Sequence, residues 1–439
     1  MLSLRRVCLG LLGLPASLGC GGLVDFGPEG GPGTPSDGGP GTPPDFSWTR
    51  QFGSTGQDKA SAVTFTRSGG VVLAGWTALG QESAGSLAKT NSFVRRYDRN
   101  GKVEWDLEFG TPDSDGVYAA VALDEDVVVA GYCRDALPGQ TSLGEGDAFV
   151  TRFRNTGAIA WTQQFGTSGY DVAYAVQRAP SGELLVAGYV DGALPGFDGE
   201  GAEDAFWARF DPGGTLLSAA QFGGDKQDVA YSICGLTSGG VAIAGAAVSD
   251  LDGGVARGKE DAFVRVLGAD GSLSFSRQFG GPSKDVATSI VCLPNGAVAV
   301  AGYYYEELDG APGLASYDAF LRKYDSAGNL VLSRVIGSEG TDYAFALATD
   351  GKGRFYVAGS TDGVVAGKAK IGRTDSFVVV LDADGNEIQS WQFGSPEFGE
   401  ARAIAVSETG RFAAAGYSQG PLPGQLGSGA VDAYVTVLD

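Results

Sequence analysis

Residues 165–222 read FGTSGYDVAYAVQRAPSGELLVAGYVDGALPGFDGEGAEDAFWARFDPGGTLLSAAQF. Four short segments in this stretch have β character: DVAYAV from Asp171, ELLVAGY from Glu183, DAFWARF from Asp204 and LLSAAQF from Leu216. The second is a nearly continuous apolar run, and the third alternates and carries aromatics. Turn signals such as Ser181-Gly182 and Asp211-Pro212-Gly213 separate them. No segment sustains a 3.6-residue period, so almost no helix is expected.

The same unit recurs along the chain. An aromatic residue or Ile followed by Gly stands at Phe52, Phe109, Phe165, Phe222, Phe279, Ile336 and Phe393, spaced 57, 56, 57, 57, 57 and 57 residues apart. An Ala-Gly pair closes the apolar run at Gly75, Gly131, Gly188, Gly245, Gly302, Gly359 and Gly416. A third motif, mostly Asp-Ala-Phe, places its aromatic at Phe93, Phe149, Phe206, Phe263, Phe320, Phe377 and Tyr434. Three motifs sharing one period define seven repeats. Four strands per repeat, arranged radially, predict an all-β, seven-bladed β-propeller with four antiparallel strands per blade. Inner strands are apolar on both faces because each blade is sandwiched between neighbours.

The chain ends predict how the ring closes. An extra copy of the fourth strand, Trp48–Phe52, precedes the first unit, and the last unit stops after its third strand, AYVTVLD. Trp48–Phe52 is expected to complete the last blade by pairing with Tyr434–Leu438, leaving no open edge.

The repeat resembles the SBBP family of seven-bladed β-propeller proteins. Trp161-Thr-Gln-Gln-Phe165-Gly166 and Asp171-Val-Ala173 match the first half of the family's blade. Gly353-Arg-Phe-Tyr-Val-Ala-Gly-Ser-Thr361 matches its middle, and Asp147-Ala-Phe-Val-Thr-Arg152 its end. The resemblance covers residues 47–439 and implies an exported or cell-surface protein, with no shared catalytic chemistry. Departures are Asn91-Ser92-Phe93 in blade one, Ile336 for the aromatic, and Gly399-Glu400 for Asp in the last unit.

Residues 1–19 read as an export signal. Arg5 and Arg6 precede a short apolar stretch, Val7 to Leu14, which is too brief to span a bilayer. Cys20 then resembles the acylated cysteine of a bacterial lipoprotein, although Ser17 and Leu18 stand in reverse of the usual order. The alternative is a soluble secreted protein cut after Gly19. Residues 21–45 hold nine Gly and six Pro in 25 positions. Residues 20–46 are therefore expected to be a lipidated tether, reaching at most about 80 Å. Gly21 stands where an inner-membrane retention signal would place Asp. By resemblance, that favours an outer-membrane lipoprotein facing the periplasm or the cell surface.

Charge and composition exclude several chemistries. Lys and Arg total 31 against 52 Asp and Glu, a net charge of -21, with no basic cluster for nucleic acid. The 439 residues include no histidine, which removes Ser-His-Asp triads, Cys-His pairs and His-ligated zinc. Six aspartates stand six residues after the repeated aromatic or Ile: Asp58, Asp115, Asp171, Asp228, Asp285 and Asp342. They form either an acidic ring for a cation or cationic peptide group, or acceptors for backbone N–H groups of their own turns, as a repeated Asp in a repeated turn usually does. The same two readings apply to Asp147, Asp204, Asp261, Asp318, Asp375 and Asp432. Asp382-Ala-Asp384-Gly385-Asn386 starts like a calcium loop, but the twelfth position is Phe393 rather than an acid, so it reads as a β-turn.

Connections of about 15 residues between second and third strands carry Leu137, Leu194, Leu251, Leu308 and Leu422 and are often acidic. They are expected to be variable binding loops, with Ca²⁺ as the one cofactor their oxygens suggest. Cys133, Cys234 and Cys292 remain after the signal and anchor. Cys234 and Cys292 lie on first strands of adjacent blades, one repeat position out of register; buried free thiols are the expected state, with a single bridge between them as the alternative.

The sequence as a whole predicts a monomeric, non-catalytic envelope lipoprotein that serves as a binding platform for protein partners. A carbohydrate-binding or adhesion module, with an envelope polysaccharide as partner, is the second reading. A carboxylate-dependent glycosidase or lyase is the third. Aromatics clustered on one rim would favour sugar, and an apolar rim would favour a protein.

Overall fold

Each repeat folds into one four-stranded antiparallel sheet, and the seven sheets are the seven blades of a β-propeller. The computed structural model describes residues 47–79, 89–199 and 201–438. Residues 1–46, which hold the expected export signal, the expected tether and Cys20, lie outside the described residues. Blade three shows the pattern: Val172–Arg178 is the inner strand, followed by Leu184–Val190, Asp204–Phe210 and the outer strand Leu216–Phe222. Among the described residues, the one helical element is a short 3-10 turn at Val365–Gly367.

The core is divided among the seven interfaces between blades. One cluster joins blades two and three through Val128, Val150, Val186 and Phe206. Another joins blades seven and one through Val435, Ala413, Leu73 and Phe93. The aromatic of Asp-Ala-Phe meets the aromatic of Phe-Gly edge to face in most blades, as in Phe165–Phe206 and Phe222–Phe263. This geometry suits the quadrupoles of paired rings.

Closure takes place as expected. Trp48–Phe52 pairs with the third strand of the last blade, from Trp48 opposite Val437 to Phe52 opposite Ala433. Trp48 and Phe52 are both buried, and the Trp48 indole N–H donates to the carbonyl of Arg99 at 3.1 Å.

Two expectations need correction. Cys234 and Cys292 form a disulfide, with Cα atoms 5.7 Å apart, and are not free thiols. Neighbouring inner strands touch at a separation of 58 residues. The Ile290 amide bonds Ser232 Oγ, the Leu347 amide bonds Ser289 Oγ, and the Ala122 amide bonds Thr64 Oγ1. The apparent offset of one position is therefore the register in which blades pack. Cys133 is the free cysteine among the described residues, and it is buried.

The second correction concerns blade five. Its second and third strands, Val298–Leu308 and Ala311–Tyr324, run on into one hairpin in place of a long loop. Leu308 faces Ala311 across a two-residue turn of Asp309 and Gly310, at φ of 51° and 81°. Asp-Gly suits this turn because both positions need positive φ.

Candidate binding site at the channel mouth

The six inner-strand aspartates are all fully buried. Each accepts the backbone N–H four residues earlier: Asp58 from Ser54 at 2.7 Å, Asp115 from Thr111 at 2.5 Å, Asp171 from Thr167 at 2.6 Å. Asp228, Asp285 and Asp342 do the same with Gly224, Gly281 and Ser338, each at 2.7 Å. The second oxygen of Asp171 takes the Asp191 amide at 3.1 Å, tying the end of the second strand into the same turn. With the side chains fully buried, none of these six carboxylates faces solvent. Burial pushes Asp115 and Asp285 up to about 7 and Asp171 up to about 6. It also raises Asp58, Asp228 and Asp342.

The aspartates of Asp-Ala-Phe are equally local. Asp147, Asp261, Asp318, Asp375 and Asp432 each accept the N–H four residues earlier. In five blades a glutamine from the adjacent outer strand adds a bond: Gln164 to Asp147, Gln221 to Asp204, Gln278 to Asp261, Gln392 to Asp375 and Gln51 to Asp432. The carboxamide oxygen of the same glutamine takes an amide of the long loop, at Leu137, Leu194, Leu251, Val365 or Leu422. Those side chains are buried, so the loops are pinned at their apolar residue. Blade five has the hairpin in place of the loop, and Val335 holds the glutamine position. Blade one exchanges the chemistry: Asn91 donates its amide to Glu108.

The two aspartate sets meet at the glycine of Phe-Gly. A Cβ on Gly223 would stand 2.9 Å from Asp228 Oδ2 and collide with Asp204 Oδ1, which explains the glycine. Asp382 accepts the amides of Asp384 and Asn386, as a β-turn requires. Among the described residues no group of three or more His, Cys, Asp or Glu side chains is placed to hold a metal ion.

The feature that sequence reasoning missed lies three residues past each inner aspartate position. The inner strand of every blade carries a β-bulge there, at Ser61, Tyr118, Tyr174, Tyr231, Thr288, Phe345 and Arg402. The strand opposite needs the glycine of Ala-Gly, because a Cβ on Gly188 or Gly245 would collide with the inner strand's backbone carbonyl. That glycine is the one signal in the sequence. A bulge re-aims a side chain without breaking the sheet.

The bulged residues and their neighbours build an aromatic mouth. Tyr174 lies 5.0 Å from Tyr118, 5.2 Å from Tyr231 and 5.9 Å from Tyr189, centroid to centroid. Tyr132 joins Tyr118 to Tyr170. A second arc links Tyr303, Tyr305, Tyr317, Tyr343 and Phe345. Phe398 stacks on Tyr417, and Lys59 lies over both Tyr417 and Trp76. Arg402 on blade seven holds the same bulged inner-strand position as Tyr118 on blade two and Tyr231 on blade four. Most of the rings are half-buried, so part of each remains accessible. Burial pushes the phenols of Tyr174 and Tyr343 up to about 12 and that of Tyr231 higher, so these stay neutral hydroxyls.

Comparison with solved structures supports the propeller fold. No protein-family model matches the chain. The WD40 domain of Neurospora crassa Pan2 superposes with a TM-score of 0.50 and 14% identity, over 87% of this chain and 89% of that one. A polysaccharide lyase, an ulvan lyase, gives 0.48 and 10% identity over 87% and 97%. The regulatory protein FlaEY of Caulobacter vibrioides is 32% identical over 189 residues, 39% of this chain and 20% of that protein. The chain thus matches only about a fifth of that relative's length. Fold and site together define a seven-bladed β-propeller whose axial mouth is lined by aromatic rings.

Proposed function

We propose that this protein is an exported, lipid-anchored β-propeller of the SBBP repeat type that binds carbohydrate at its axial mouth without catalysing its breakdown. The observation that carries this reading is the ring of bulged positions: the backbone repeats in all seven blades, while the side chains differ. Half-exposed aromatic faces stack on the apolar faces of sugar rings, and neutral phenols exchange hydrogen bonds with sugar hydroxyls. The carboxylates with raised pKa support no catalytic dyad, because each is sealed within its own turn. The Cys234–Cys292 disulfide fits an oxidising compartment outside the cytosol. Cys20 is the proposed lipid anchor, holding the propeller at the outer membrane.

The test is a glycan panel probed with the full chain and with Tyr174→Ala and Tyr343→Ala. Binding that falls at least tenfold in each variant, with melting curves little changed, supports the reading. A wild-type chain that binds no glycan at millimolar concentration sinks it. A second reading, a platform for protein partners, is favoured by exposed apolar residues on outer strands: Leu216 and Leu217 on blade three, Leu330 and Val331 on blade five. Crosslinking in intact cells, with Cys20→Ser as the unanchored control, distinguishes it by capturing one dominant envelope protein.

A further inference from the structure

We propose that the ligand of the axial mouth carries a carboxylate and that Arg402 reads it, so that the ligand class is an acidic, hexuronate-containing saccharide. The inference rests on the carbohydrate reading above and adds the ligand's charge.

Arg402 is the only charged residue among the seven bulged positions, the others being Ser, Tyr, Thr and Phe. Its guanidinium lies over the Phe345 ring at 4.1 Å, and its Nη1 donates to Glu400 Oε2 at 3.2 Å. The Glu400 side chain is 13% exposed, against 42% for Arg402. Glu400 also hydrogen-bonds the Tyr417 side chain. Glu400 is therefore the fixed partner that sets the angle of the guanidinium. Arg402 makes no other side-chain hydrogen bond among the described residues. A guanidinium carries five donors in a planar fork that matches a carboxylate in two parallel bonds. With Nη1 held by Glu400 and the side chain 42% exposed, the remaining donors are open to a ligand.

Two other arginines that cover phenyl rings behave differently. Arg95 lies over Phe52 and Arg322 over Phe279, yet both are buried and are neutralised by Asp106 and Asp309. Those are structural. Arg402 has the same stacking geometry and keeps an open, ion-capable edge. Lys59, on the adjacent blade, lies 4.4 Å from the Tyr417 ring.

The chain's net charge of -21 sharpens the case. Long-range electrostatics repel a polyanion from such a protein. A preference for the charged form of a sugar must then come from local contacts.

The test uses the full chain with short oligomers of galacturonic and of glucuronic acid, each as free acid and as methyl ester. The ester keeps the ring and masks the charge. The wild type is expected to bind at least one acid form tenfold or more tighter than its ester. Arg402→Gln is expected to lower affinity for the acid at least tenfold and for the ester by much less, so that the preference is lost, and Arg402→Lys to retain part of it. Since Arg402 is half-exposed, its variants should melt as the wild type does. Equal affinity for acid and ester overturns this inference and leaves the carbohydrate reading standing. Binding of neutral glycans but of neither acid overturns it in the same way. If no saccharide of any kind binds, both fall.

Discussion

Asp171 and Tyr174 stand three residues apart on one inner strand, yet the two positions follow opposite rules. The first is Asp in six of seven blades, fully buried and bonded to its own turn. The second is Ser, Tyr, Tyr, Tyr, Thr, Phe and Arg around the ring, on a backbone bulge that never varies. A position that closes a turn in six blades is held to one residue in those blades, because a buried N–H without a partner costs about 1–3 kcal/mol each time. A position aimed into the channel carries no such duty. Repetition in this protein marks support, and its loss marks recognition.

The largest perturbation removes the support of the whole ring. Deleting residues 46–52 exposes one edge of the last blade and discards the burial of Trp48 and Phe52. The expected loss is roughly 6–10 kcal/mol, read as a large drop in melting temperature. An unchanged melting curve would mean that the blades hold together without the closing strand.

A smaller change separates the two positions directly. Asp171→Ala leaves the amides of Thr167 and Asp191 without their acceptor and is expected to cost about 2–4 kcal/mol. Tyr174→Ala should cost less and abolish most ligand binding. If chemical denaturation ranks Tyr174→Ala as the more damaging, the division into support and recognition is wrong.

The exchanged pair in blade one offers a milder test of the support network. Asn91→Asp sets a carboxylate against Glu108 and is expected to destabilise by about 1–2 kcal/mol. Adding Glu108→Gln rebuilds the arrangement of the other blades and should recover most of that loss, as a double-mutant cycle would report.

The last test reads pH. Asp115, Asp171 and Asp285 hold protons in the fold up to about pH 6–7, whereas an unfolded aspartate releases its proton near 3.9. Between those values the folded state binds more protons. Their stabilising contribution is therefore full below about pH 4 and lost as pH rises through 7. Melting temperature should rise from pH 8 to pH 5, and Asp285→Asn should flatten the slope. A slope unchanged by that substitution would remove the assigned cause.

Much of the architecture is readable in the chain. The period of about 57 residues, with Phe-Gly, Ala-Gly and Asp-Ala-Phe each recurring from blade to blade, counts the blades. The turn residues mark where strands end, and Trp48–Phe52 announces its own blade because a fourth strand is missing at the other end. The bulge is not readable: its residues differ from blade to blade, so no motif flags them, and only the facing glycine hints at crowding. The disulfide escapes sequence arithmetic, which aligns equal repeat positions, while neighbouring blades touch one residue further on. The blade-five hairpin escapes it because its length equals that of a loop, and cross-strand pairing alone tells them apart.

Sequence by itself determined the architecture, because hydrophobic alternation and turn chemistry act locally and repeat in every unit. Tertiary structure decided the site. Tyr118, Tyr231 and Arg402 stand at the bulges of three blades separated in the chain, and closure of the ring brings those inner strands around one axis.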